Sequence, residues 1–380
     1  MKKNAYEFYK PIIVKDIKVD WITGETIPSG ETWIMITKKF ISSLEENFYT
    51  YSTNMLSLFI WGNIWDHLNR ILIIIKEDNT AKIYRKFPMS VWIIAKQDIK
   101  AGSLIWKRQI ADIESIEFND SEYEIEIEQW DKIIWLFRID WRFWLYFDFS
   151  KTLNPTNLSK ELGSCYRSLA YYNLYSFLDD KDNFDFLLQD WWFPFIQIND
   201  ERFERLIQYY KEEKKYELHV NELIEWFNKE KIEAIVRYWW QNPVLNSKKN
   251  IIEAGIGEYF KDTEAWYINC IKNLSSEIEW IIRYACFNEK WEKDPKVKDL
   301  KEYITDKGVS KFSSIGSLGF PKLFYDYLTE VVFKKFDIEK EIPTSRHSVA
   351  HWIAKFENYT KIRAFQMILI IDQIYFFLRK

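Results

Sequence analysis

WRFWLYFDFSKTLNPTNLSKELGSCYRSLAYYNLYSFL, residues 141–178, changes its hydrophobic rhythm part-way along. The first ten residues, WRFWLYFDFS, are dense in aromatic side chains, which favour a pleated and half-buried strand. From Asn157 onward the apolar residues recur at helical spacing instead. The stretch is the seam of an α+β chain, with an N-terminal β-rich domain before it and a mainly helical region after it.

Upstream, ILIIIKEDNTAKIYRKF (71–87) reads as an apolar strand, a Glu-Asp-Asn turn and a second strand, hence a hairpin. YEIEIEQWDKIIWLFRI (123–139) reads as another hairpin, turning at Trp130-Asp131. A helix is expected around 39–58. These elements define a first domain over 1–150.

Downstream, 151–259 reads as a helical middle region. Asn199-Asp200 offers an N-cap to a helix with acidic residues in its first turn. QDWWFPFIQI, broken by Pro194, is expected to be extended and packed. The last third, 260–380, carries helical patterns at 262–286, 321–336 and 345–378, with a Gly/Ser-rich loop at 306–321 and Thr344 or Ser345 capping the last helix. Their apolar stripes put Ile278, Ile282, Phe324, Leu328, Phe365, Ile368 and Ile371 inside one bundle.

Composition narrows the function classes. The 380 residues carry a formal net charge of −4, so no global field draws nucleic acid, and such binding needs a local patch. No secretory signal opens the sequence, and the apolar run Met367–Leu378 is too short to span a bilayer, which points to a cytoplasmic protein away from membranes. Cys165, Cys270 and Cys286 form no CxxC pair. No glycine-rich phosphate loop, dinucleotide fingerprint or G-x-S-x-G elbow is present.

Tryptophan is out of proportion, with 19 against only 10 glycines. Several tryptophans occupy places where a turn or helix end asks for glycine: Trp130, Trp144, Trp239 or Trp240, Trp291 and Trp352. Either the protein holds its turns with bulky residues, or some of these codons are UGA read as glycine in the source cell.

The chemistry-bearing stretch is SRHSVAH, where Arg346, His347 and His351 spell R-H-x-x-x-H at the head of the last helical pattern. His347 and His351, at i and i+4, share a helix face. An arginine in a first turn joins free N–H groups and the helix dipole to hold a phosphate, and it stays charged. His351 can move the proton of a ribose 2′-OH or protonate the leaving oxygen without a metal. Segment 341–380 carries six basic residues against three acidic, a local net of +3.

The motif resembles the R-x4-6-H signature of HEPN-domain proteins. Glu279-Trp280-Ile281-Ile282-Arg283 resembles the E-G-x-x-R pattern on an earlier helix of HEPN-like proteins, with Glu279 and Arg283 as possible supporting residues. The resemblance covers only 260–380, and both departures from its pattern put tryptophan where the family has glycine. It implies a HEPN-like helical bundle, a ribonuclease of bacterial defence or stress response, a homodimer with a composite site and RNA as substrate, with no cofactor and no metal. Plainer readings stand beside it. The arginine and histidines can cap the helix, Glu279 and Arg283 can form an i, i+4 salt bridge, and a non-catalytic dimerisation or RNA- or partner-binding module fits the same pattern. The histidine pair lacks the HExxH pattern and a third ligand. His67 and His219 read as structural.

Overall fold

The structure is a computed structural model that describes residues 7–17, 19, 40–60, 70–150, 152–210, 212–290, 294–312, 316–334 and 358–379. It has the α+β layout, a β-sheet region followed by a mostly helical part. The chain divides into two compact units, one of residues 1–93 with 113–172 and one of 94–112 with 173–380. The 260–380 stretch therefore shares its unit with residues 173–259 of the middle region, whose first part falls in the other unit.

The first unit is built on a six-stranded antiparallel sheet. Its strands are β1 (Ile12–Val14), β2 (Phe40–Ser42), β3 (Arg70–Ile75), β4 (Ala81–Tyr84), β7 (Lys132–Ile139) and β8 (Arg142–Asp148), in the order β1-β4-β3-β7-β8-β2. Helix α1 (Phe48–Leu56) packs with Ile71, Ile73, Ile134 and Leu136. Helix α2 (Pro155–Ala170) packs with Leu72, Ile74, Trp135 and Phe137. Because successive side chains alternate between faces, these two sets lie on opposite sides of the sheet. A strand covered on both faces must be apolar throughout, which explains the unbroken ILIII of β3.

The 71–87 hairpin is present as β3 and β4, with Asn79 at φ 59° in the turn between them. The hairpin expected at Trp130 is not. β7 pairs with β3 on one edge and β8 on the other, so the glutamate-rich 123–127 has no free edge to join, and only an isolated Asn119–Glu124 bridge remains. The tight hairpin lies one strand later, at Asp140-Trp141. Strands β5 (Ser90–Ala95) and β6 (Ile110–Glu117) form a separate two-stranded sheet.

The second unit contains α3 (Tyr172–Leu178, which begins at the boundary), α4 (Lys181–Gln189), α5 (Glu201–Tyr209), α6 (Glu213–Trp226), α7 (Lys229–Trp239), α8 (Pro243–Asn246), α9 (Lys249–Tyr259), α10 (Glu264–Lys290), α11 (Val297–Phe312), α12 (Pro321–Tyr327) and α13 (Lys361–Leu378). All seven residues assigned to the bundle interior are buried. Pro321 stands at the start of α12, which continues into a π turn over Leu328–Val332. The first part of the loop expected from 306 is helical instead, since α11 runs to Phe312. Gly308 lets α11 approach Pro321 and Phe377 so closely that a Cβ would lie 2.9 Å from each, and tertiary packing thus keeps the helix running.

The last helix also differs from its sequence reading. Thr360 is extended and caps α13, its hydroxyl accepting from the Arg363 N–H at 3.2 Å, so the helix starts at Lys361 and does not run unbroken from 345. Every residue from Ala364 to Phe377 is buried, so α13 is a central helix with no solvent face. Its polar side chains are satisfied inside. Gln366 donates to the Asp190 carbonyl at 2.9 Å, Gln373 accepts from the Ile196 N–H at 2.8 Å, and Asp372 accepts from Trp239 at 2.7 Å and Gln197 at 3.0 Å. The bonds from Ile196 and Gln197 fasten α13 to the buried 191–200 segment, which is packed as expected, and those to Asp190 and Trp239 fasten it to the end of α4 and to α7. No helix among the described residues is long and apolar enough to cross a membrane.

Candidate functional site

Arg346, His347 and His351 lie outside the described residues, as does His67. What the structure defines is the helix that follows the Arg346–His351 motif in sequence. Thr360 caps α13, and Lys361 pairs with Asp262 at 2.6 Å. Arg363 turns inward, donating to Gln366 at 2.9 Å and lying 4.8 Å over the Trp191 ring, and burial pulls its guanidinium below the ordinary range. Arg379 donates to the carbonyls of Ala95 and Lys96 at 2.8 and 3.2 Å. The described cations of the +3 stretch are therefore engaged within the protein. Within this stretch, phosphate affinity is left to Arg346, Lys355 and Lys380, which lie outside the described residues.

Glu279 and Arg283 are brought together on α10. The Arg283 guanidinium meets Glu279 at 2.8 Å, Asp294 at 3.1 Å and the Pro295 carbonyl at 2.7 Å. This arrangement ties the end of α10 to the connection before α11. A salt bridge at i, i+4 with two further anchors is what a structural role requires. His219 is buried, with Nε2 2.8 Å from the Arg202 carbonyl. All three cysteines are free and buried. Among the described residues no three His, Cys, Asp or Glu side chains gather as a metal-holding group.

The strongest electrostatic cluster escaped the sequence reading. Asp200 is fully buried, caps α5 through the Arg202 N–H, and meets Lys96 at 3.0 Å and the Arg202 Nε at 2.8 Å. Burial alone would raise its carboxyl, but the Arg202 hydrogen bonds and the Lys96 charge outweigh that and hold it down at about 2. Burial pulls the Lys96 ammonium down to about 8, with Asp200 opposing. The Arg202 guanidinium stacks 4.0 Å from the Trp226 ring, and Lys231 sits 3.8 Å from the same ring. Only the cap at Asn199-Asp200 carried a local signal. Lys96 is distant in sequence, and nothing in its surroundings marks a buried partner.

No protein-family model, no curated protein and no solved structure matches the chain. Its functional reading therefore rests on its own residues.

Proposed function

We propose that the chain is a metal-independent endoribonuclease of HEPN type, acting in the cytoplasm in defence or stress response. The observation that carries the reading is the spacing of Arg346, His347 and His351. Arg346 stabilises charge developing on the scissile phosphate, His351 moves the proton, and His347 orients its neighbours. Ten residues after His351 the chain enters a helix capped at Thr360 and buried from Ala364 to Phe377, an element of the kind to which positioned acid–base groups are anchored. Two copies would bring their motifs together in a homodimer, as the resemblance implies.

The engagement of Arg283 with Asp294 and Pro295 favours a second reading, in which the bundle is a non-catalytic dimerisation or RNA- or partner-binding module. The experiment that separates the two incubates the purified chain with single-stranded and structured RNA, with and without excess EDTA, and identifies the product ends. The proposal predicts cleavage that persists in EDTA and leaves 2′,3′-cyclic phosphate ends. Binding without cleavage supports the module, and cleavage abolished by EDTA points to a metal site.

A further inference from the structure

Two tryptophans sit at turn positions that glycine commonly holds. The first is Trp191, at φ 62°. Helix α4 ends at Gln189, Asp190 is its C-cap and Trp191 follows. The Trp191 N–H donates to the Leu188 carbonyl at 3.1 Å, and the Trp192 N–H to the Leu187 carbonyl at 2.8 Å. Those two bonds, with a left-handed residue after the cap and buried Leu187 and Trp192 beside it, make a Schellman motif whose left-handed position is held mainly by glycine. A Cβ in that conformation crowds the backbone.

The second is Trp141. Ile139 pairs with Arg142, so β7 and β8 are joined by the two-residue loop Asp140-Trp141, with Asp140 at φ 53°. Asp-Gly is a preferred sequence for such a loop, with both residues left-handed in a type I′ turn; here Asp140 is left-handed and the tryptophan at 141 is not. The Trp141 side chain is 85% exposed and thus contributes almost nothing to the core.

The other left-handed residues follow local rules more closely: Asp16, Asn79, Asp140 and Asp262 tolerate the conformation, and Gly102 favours it. Phe320 is the counterexample, an aromatic residue at φ 43°, so positive φ alone is not the argument. At 191 the full Schellman hydrogen bonding is present, at 141 a two-residue hairpin loop in which glycine would follow a left-handed aspartate, and the excess of tryptophan over glycine has the same direction. The tryptophans that the sequence singled out and that are described behave otherwise. None of Trp130, Trp144, Trp239 and Trp240 has positive φ or lies in a two-residue hairpin loop; Trp144 pairs within β8, and Trp239 donates to Asp372. Trp291 and Trp352 lie outside the described residues.

We infer that residues 141 and 191 are glycine in the protein as its source cell makes it, each encoded by UGA in a code that reads this codon as glycine. The test is to sequence both codons and to determine, by mass spectrometry of the native chain, the peptides that contain the two positions. UGA at both, with peptides lighter by the difference between tryptophan and glycine, is the expected result. UGG or a tryptophan mass at either position overturns the inference for that position. An independent arm uses recombinant chain with tryptophan throughout. Trp141→Gly should raise the melting temperature by about 1–3 °C, whereas Trp135→Gly, which empties a buried strand position, should lower it. A fall with Trp141→Gly as well would contradict a glycine-adapted turn.

Discussion

Asp200 combines three tasks in one carboxylate. It caps α5, pairs with Lys96 and binds the Arg202 guanidinium, all at full burial. Removing it leaves two cations facing each other with no counter-charge, so Asp200→Ala should destabilise the protein by about 3–5 kcal/mol in urea unfolding. Lys96→Met should cost less, because Arg202 still satisfies the carboxylate. The depressed carboxyl also gives a pH dependence of defined sign. Folding lowers it from its ordinary value near 4 to about 2. Its contribution is then complete above about pH 4 and lost as pH falls through 2, amounting to roughly 2 kcal/mol. Unfolding free energies measured from pH 5 down to 2 should show this loss in wild type, and Asp200→Asn should flatten that part of the profile.

At the scale of elements, how much was legible depends on whether the cause was local. The β3–β4 hairpin, the cap at Asp200 and the apolar stripe of α10 all arise from neighbours in sequence, and each appears as its residues imply. The partner of β7 was not legible, because competition among strands for two edges is settled by tertiary pairing. Nor was the all-round burial of α13, since periodicity finds one stripe but cannot tell how many helices surround it. Glycines show the same division. Gly163 on α2 faces the β6 backbone, where an added Cβ would lie 2.7 Å from the Ser115 Cα, so Gly163→Ala should cost about 1–3 kcal/mol. Gly257 on α9 meets nothing within 4 Å, and Gly257→Ala should stabilise by about 0.5–1 kcal/mol. Chemical denaturation of the two variants side by side checks both signs.

For the whole molecule, the structure supplies a firmly anchored buried helix and the sequence supplies the groups proposed to react, which precede it. The candidate site was legible only as a pattern of residue types. Arg346 and the two histidines carry their chemistry in their side chains, whereas Glu279 and Arg283 took their meaning from neighbours that spacing does not reveal. The measurement that tests the account most directly is the RNA-cleavage rate of wild type beside Arg346→Ala, His347→Ala and His351→Ala, each checked for unchanged folding by circular dichroism. Loss of a positioned acid–base or charge-stabilising group lowers the rate by about 10²–10⁴. The account predicts losses of that size for Arg346→Ala and His351→Ala and a smaller one for His347→Ala. Cleavage that is indifferent to both Arg346 and His351 would contradict it.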